Sequence, residues 1–195
     1  MDHVKIGQLI YKLRKEKGLT QLQVAKQLNV SDKTISKWER GLGCPDVSLL
    51  AGLSKLFEVD LEKLLSGELK ENVKLGGNIR KMLFYVCPTC GNIITSIAEV
   101  NSFCCGKKLT PLLPQKAAES ERLSVELIEN DYFITSEHPM TREHYIAFVA
   151  LLSSDSIMLR KQYPEWNLQV RIPKFARGRL LWYCSEHGLF YQEVR

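Results

Sequence analysis

Two sets of side chains in this sequence have the types and spacing to hold a metal ion. The first is Cys87-Pro88-Thr89-Cys90, followed fourteen residues later by the adjacent pair Cys104-Cys105. A Cys-x-x-Cys turn aims two thiolates at one ion, and a second pair completes a four-thiolate tetrahedron for iron or zinc. Gly91 and Gly106 follow the two pairs, where tight backbone near a metal favours glycine. The second set is sparser. His138 and His144 lie six residues apart, and Cys184 and His187 form a Cys-x-x-His pair that begins forty residues beyond His144. Three imidazoles and one thiolate suffice for a four-coordinate ion, zinc as readily as ferrous iron. Cys44, before Pro45 and with no flanking cation or second cysteine, reads as a small residue in a turn rather than a redox sensor.

A third set carries different chemistry. Thr20-Gln21, Ala25, Leu28, Val30-Ser31, Ile35-Ser36, Trp38-Glu39 and Gly41 have the spacing of two short helices joined by a tight turn. Ala25 is small where two helices cross closely, and Val30, Ile35 and Trp38 form the core beneath the turn. This leaves Ser31, Asp32, Lys33, Thr34, Ser36, Lys37 and Arg40 on an outer polar face whose N-terminal end can enter a major groove. The pattern resembles the helix-turn-helix domain of the lambda-repressor/Cro-like family over about residues 4–67. The resemblance implies a phosphate contact for Gln21, base reading by Ser31, Asp32, Lys33 and Lys37, and backbone contacts from Arg40 and the amides near Gly41 and Leu42. Lys33 and Lys37 suit guanine O6 and N7, and Asp32 suits a cytosine amino group. The expected partner is a double-stranded DNA operator, bound as a homodimer on two half-sites.

The cysteine cluster, with its Cys-Pro-x-Cys-Gly turn and adjacent Cys-Cys pair, resembles the desulforedoxin-type domain, best known at the front of desulfoferrodoxins. Iron is the metal in that family, and the same four thiolates accept zinc. The segments His138-Pro139-Met140-Thr141-x-x-His144-Tyr145-Ile146 and Cys184-x-x-His187-Gly188 together resemble the catalytic domain of superoxide reductases over about residues 120–195. That family holds iron with four imidazoles in a plane and one axial thiolate, leaving the sixth position for superoxide. The resemblance implies imidazoles from His138, His144 and His187 and the thiolate from Cys184. The family's fourth histidine follows a Glu-Lys pair; the local match is Glu121-Arg122-Leu123, with Leu123 where the histidine belongs. His3, in the front domain, is no substitute. An iron site short of one imidazole differs in geometry, potential and open positions, so the reading leans away from an enzyme. Leu123→His is the change expected to raise any reductase turnover. Arg122 keeps a positive charge of the kind that attracts anions.

The elements that position these groups change character along the chain. Apolar residues recur at helical spacing from Ile6 to Leu13, Leu22 to Leu28, Asp32 to Arg40, Val47 to Phe57 and Leu61 to Leu65, with Thr20 and Ser31 as N-caps. Residues 66–82 lose the periodicity. From Leu83 the texture becomes β-branched and aromatic: Leu83 to Val86, Ile93 to Ile97, Val125 to Ile128, Tyr132 to Thr135, Tyr145 to Leu152, Ile157 to Lys161, Leu168 to Ile172 and Arg179 to Cys184. Residues 145–152 are apolar on both faces, which fits a central strand or a short buried helix. The expected architecture is multidomain, α then β. A five-helix helix-turn-helix bundle (1–67) precedes a linker (68–82), a small four-cysteine metal-binding β domain (83–114) and an Ig-like β-sandwich of superoxide reductase type (115–195).

Composition sets the frame. The 195 residues are 45% hydrophobic and 25% charged, with net charge +5, typical of a folded globular chain. The longest apolar run is eight residues, Tyr145 to Leu152, too short for a membrane span. The N-terminus lacks a signal-peptide pattern. A cytoplasmic location is therefore expected, where six cysteines stay reduced and serve as ligands rather than disulfides. Residues 1–70 carry +3, 71–113 carry +3 and 114–195 carry −1, a mild basic bias toward the front. The expected function is a sequence-specific DNA-binding transcription regulator whose C-terminal region bears metal and responds to redox or iron status. The alternative is a superoxide reductase-type iron enzyme with an accessory DNA-binding domain. Superoxide or another oxidant is signal in the first reading and substrate in the second.

Overall fold

The computed structural model describes residues 2–69, 79–174 and 178–194. Contacts divide the chain into two compact units, Met1–Glu71 and Asn72–Arg195. Most of the expected linker, 70–78, lies outside the described residues. No helix among the described residues is long and apolar enough to cross a membrane.

The front unit contains α1 (His3–Glu16), α2 (Gln21–Leu28), α3 (Asp32–Glu39), α4 (Val47–Phe57) and α5 (Leu61–Ser66). Each starts at a side-chain cap. The Asp2 carboxylate accepts from the Val4 and Lys5 amides at 3.0 and 3.2 Å. Thr20 and Gln23 form a reciprocal capping box at the head of α2. Asn29 ends α2 in the left-handed region (φ 54°), turning the chain sharply, and Ser31 caps α3 by accepting from the Thr34 amide at 3.1 Å. One face of every helix then meets the others in a single core that includes Ile6, Ile10, Val24, Ala25, Ile35, Trp38, Leu53 and Leu64. Gly7 permits the closest crossing: a Cβ there would lie 2.0 Å from the Trp38 carbonyl oxygen, so α1 and α3 could not pack with any larger residue.

The rear unit is built from strands. Its five-stranded sheet has the order β5 (Gln115–Lys116), β12 (Gly188–Val194), β11 (Gly178–Cys184), β8 (Ile146–Leu152), β9 (Ile157–Lys161). A three-stranded sheet has the order β10 (Gln169–Pro173), β7 (Asp131–Thr135), β6 (Ser124–Ile128). Tyr132 and Ile134, Val170 and Ile172, Val149 and Leu151, and Leu180 and Trp182 fill the core between the sheets. The alternate residues of the larger sheet, Phe148, Ala150, Leu152, Leu181 and Leu189, face the other way and bury Phe84 from β1 (Leu83–Val86). Both faces of β8 are therefore covered, which explains its unbroken apolar run and resolves the strand-or-helix alternative in favour of a strand.

β1 pairs with β2 (Ile93–Ser96), and a second hairpin joins β3 (Ser102–Cys104) to β4 (Lys107–Leu109). Successive residues of β1 point opposite ways. Phe84 stacks on Phe148 at 5.5 Å between ring centroids, while Tyr85 enters a small core with Cys87 and Leu109. The cysteine-bearing hairpins and the sandwich thus belong to one compact unit, joined through β1. The expected strand at 168–172 starts one residue later, because Leu168 is a core residue ahead of β10. β3, β4, β5 and β12 go beyond the strands expected from sequence.

Candidate metal centres and nucleic-acid interface

The four-cysteine group forms where the two hairpins meet. Cys87 directly follows β1 and is buried; its amide donates to the Asn92 carbonyl and its carbonyl accepts from the Gly91 amide, both at 2.9 Å. That turn brings Cys90 beside it. On the second hairpin Cys104 closes β3, and the tight turn passes through Cys105 (φ 49°) and Gly106 (φ 75°). The four Sγ atoms lie within 4.8 Å of one another, with Cys90 and Cys104 3.5 Å apart. Sulfurs at the vertices of a tetrahedron with bonds of about 2.3 Å are about 3.8 Å apart, so the group is already near the size an ion requires. All six cysteines are unpaired thiols.

The electrostatics of this group call for a cation. The Cys90 amide, above all, holds the Cys87 thiol down to about 6. The Cys105 thiol is pushed up to about 12, first by Cys90 and then by Cys87 and Cys104. One thiolate thus forms readily, while Cys104 and Cys105 are driven to stay protonated. A dication reverses this balance and makes four adjacent thiolates compatible.

The second group sits at one end of the sandwich. His138 and His144 lie in the β7–β8 loop, Cys184 ends β11, and His187 is in the following turn. Their donor atoms lie within 4.8 Å of one another. The His138–His144 and His144–His187 ring centroids are 4.6 and 4.7 Å apart, with the rings near perpendicular. Local structure aims each ring. The His138 Nδ1–H donates to the Pro139 carbonyl at 2.6 Å, leaving the Nε2 lone pair for the cluster. The His144 amide donates to Thr141 Oγ1 at 3.0 Å, and its Nδ1 faces the Glu186 carboxylate at 3.7 Å. The register between β11 and β8 shifts at Tyr183/Cys184, a bulge that re-aims the buried Cys184. Ser185 ties both loops together, its hydroxyl donating to the Glu143 carbonyl at 2.7 Å and accepting from the Tyr145 amide at 3.1 Å.

The Nε2 atoms of His138 and His144 are buried and have no hydrogen-bond partner. Such orphans are costly unless a ligand satisfies them, and two aimed at one point alongside a buried thiol fit a metal ion. Burial, first, and then the charges of His144 and His187 hold the His138 imidazole below its ordinary value, favouring the neutral form a metal needs; the bond to Pro139 partly opposes this. A cleft of about 460 Å³ opens beside the cluster, its lining including Arg122, Ser124, Glu137, His138, Cys184 and His187. Leu123 is not among the lining residues. It is 4% exposed and lies in the sandwich core. An imidazole substituted there would enter apolar packing rather than the cluster, so the expectation that Leu123→His restores a donor does not fit this backbone.

In the front unit, Asp32, Lys33, Lys37 and Arg40 are exposed along α3, Ser31 is exposed at its cap, and Thr34 and Ser36 are half-buried. The Arg40 Nε donates back to the Ser36 carbonyl at 3.2 Å. Gln21 is half-buried at the head of α2, where its Nε2 donates to Glu39 Oε2 at 2.8 Å. Glu39 also forms a two-point pair with Arg14, at 2.5 Å to Nε and 2.9 Å to a terminal nitrogen, with both side chains almost wholly buried. Arg14 in turn donates to the Leu19 carbonyl at 2.8 Å. Sequence reading missed this Arg14–Glu39–Gln21 network. Its signal was Arg14 on the inward face of α1, directly after Leu13.

Residues 10–64 match the family model described as Helix-turn-helix. The chain is 40% identical over 88 residues to the HTH-type transcriptional activator BcrR of Enterococcus faecalis, covering 43% of this chain and 42% of that one. It is 31% identical over 58 residues to a desulfoferrodoxin of Clostridium acetobutylicum, covering 30% and 46%. It thus spans less than half the length of either relative. A solved superoxide reductase from Treponema pallidum superposes with a TM-score of 0.50 at 20% identity, over 58% of this chain and 98% of that one, a likeness of fold.

Proposed function

For a chain that joins a helix-turn-helix domain to a region of superoxide reductase fold, we propose the role of a DNA-binding transcription regulator with two metal centres in its rear unit. The observation that carries the first half is the capped α3, which presents Ser31, Asp32, Lys33 and Lys37 outward while Ile35 and Trp38 anchor it. In this reading α3 enters the major groove of a double-stranded operator. Gln21, held by Glu39, and Arg40 meet phosphates, and Thr34 and Ser36 complete the contact face. A homodimer on two half-sites is the form proposed.

The second half rests on the two donor clusters. Cys87, Cys90, Cys104 and Cys105 would hold iron or zinc, and His138, His144, Cys184 and His187 would hold a second iron or zinc. Iron would supply a one-electron couple, whereas zinc would supply a fixed charge and geometry alone. The chain's own part is to keep the His138 imidazole neutral, to aim the three rings, to shield Cys184, and to tie the two ligand loops together through Ser185. A change in metal occupancy or oxidant exposure is the proposed signal. The reductase reading has the fold and the thiolate in its favour. The three-imidazole set, with Leu123 in the core, weighs for the regulator.

The test is selection of duplexes from a random pool by the full chain, followed by affinity measurement with Lys33→Ala and Lys37→Ala. Enrichment of one sequence, weakened by either substitution, supports the reading. No enrichment, or affinity for all duplexes alike, contradicts it.

A further inference from the structure

One side of the sandwich is left open. β6 is the outer strand of its sheet, and the short β5 pairs with β12 only at Phe190 and Tyr191, so Gln192, Glu193 and Val194 run past it. A cavity of about 250 Å³ lies there, walled by Val125 and Leu127 from β6, Tyr132 from β7 and Val194 from β12, with Lys174 also in its lining. It shares no lining residue with the cleft beside the histidine–cysteine cluster.

Two polar groups here are uncommitted. Tyr132 is 3% exposed, and its buried hydroxyl has no hydrogen-bond partner among the described residues. A phenylalanine would fill the same core space without burying an unsatisfied hydroxyl, so packing alone does not account for a tyrosine. Lys174 is exposed and forms no ion pair among the described residues; its ammonium lies 5.9 Å from the centre of the Tyr132 ring. The other polar side chains of the lining are engaged. Gln192 gives both ends of its amide to Leu123, Oε1 accepting from the Leu123 amide at 3.0 Å and Nε2 donating to its carbonyl at 3.1 Å. Glu193 accepts twice from the Arg179 guanidinium, at 2.9 and 2.8 Å, so its charge is matched. The cavity therefore keeps one unmatched positive charge, one hydroxyl free to donate and three aliphatic side chains.

A free ammonium and an unsatisfied hydroxyl in one lining suit a carboxylate, which has lone pairs for both. The aliphatic walls suit a hydrocarbon body, and the volume, below the ~300–1,000 Å³ of pockets for drug-sized ligands, limits the occupant to a small molecule. We infer that this cavity binds a small monocarboxylate with an aliphatic body, its carboxylate accepting from Tyr132 and Lys174 and its chain lying against Val125, Leu127 and Val194. The site uses neither metal centre and no residue of α3, so it stands apart from both halves of the proposed function.

The full chain is titrated by calorimetry with hexanoate, and with hexanol and hexylammonium as probes of the same chain length. Hexanoate is expected to saturate with a dissociation constant of about 1 mM or tighter, at least about tenfold tighter than either of the others. Tyr132→Phe and Lys174→Gln each weaken hexanoate by about tenfold. Tyr132→Phe leaves the melting temperature unchanged or higher, because the hydroxyl it removes had no partner. Lys174 is exposed, so its substitution tests the site without disturbing the core. Arg122→Gln, in the cleft beside the histidines, leaves hexanoate binding unchanged. The proposal is overturned if hexanoate shows no saturation by about 10 mM, or if hexanol or hexylammonium binds as tightly. It is equally overturned if Tyr132→Phe and Lys174→Gln bind hexanoate as the native chain does, or if Arg122→Gln abolishes binding.

Discussion

His138 and His144 each bury an Nε2 that no protein group satisfies, at a cost of about 1–3 kcal/mol apiece in the metal-free chain. Replacing one by an apolar ring of similar shape removes that cost together with the donor. His144→Phe is accordingly expected to leave metal-free thermal stability unchanged or higher while abolishing the stabilisation that added zinc or cobalt confers. Paired melts with and without metal check both halves. Leu123→His does the opposite, placing a polar ring in the sandwich core. It should destabilise the rear unit by about 1–3 kcal/mol in denaturant melts, with no added metal ligand. On α3, Lys33→Ala and Lys37→Ala should each cost about 1–3 kcal/mol of operator affinity where the lysine reads a base. The four-cysteine set was legible in the sequence because its spacing is local and chemically distinctive, whereas the mixed set was legible only as two local pairs, His138 with His144 and Cys184 with His187, that a family resemblance joined. The inward turn of Leu123 was not legible, since one residue's choice of face depends on Gln192, far along the chain.

Glu39 links three helices, accepting from Arg14 on α1 and from Gln21 on α2 while sitting at the end of α3. Glu39→Gln leaves a buried guanidinium with half its partner and should destabilise the front unit by about 3–5 kcal/mol, read from its unfolding transition. α4 offers a pH test. The Ser48 hydroxyl, then the Ser48 amide, hold the Asp46 carboxyl below its ordinary 3.8. The cap's contribution is complete above that value and is lost as pH falls through the lower folded value. The stability difference between the native chain and Asp46→Ala should hold steady at mildly acidic pH and shrink below 3.8. In the rear unit, Phe84→Ala removes the ring joining β1 to the sandwich, at about 3–5 kcal/mol. Helices were readable because caps and 3.6-residue periodicity coincide over long spans. β12 escaped notice because Leu189, Phe190 and Tyr191 run consecutively, with no alternation to mark a strand, and β3 and β4 are three residues each.

For the whole molecule, the order of parts was legible because composition changes sharply after residue 82, from helical periodicity to β-branched and aromatic stretches. The union of the cysteine hairpins with the sandwich was not, since it depends on the inward ring of Phe84, with Val86, Ile93 and Leu112 packed in the same cluster, and on the two-sided burial of β8. The central claim is that metal in the rear unit governs DNA binding by the front unit, a coupling typically worth about 5–150-fold in affinity. The measurement that tests it is the affinity of the full chain for its selected duplex in three states: metal-loaded, stripped by chelator, and metal-loaded then oxidised, with metal content determined for each. The account predicts that stripping or oxidation shifts the dissociation constant by about tenfold or more and that reloading with metal after stripping restores it. Equal affinity in all three states, with metal content shown to differ, would contradict it.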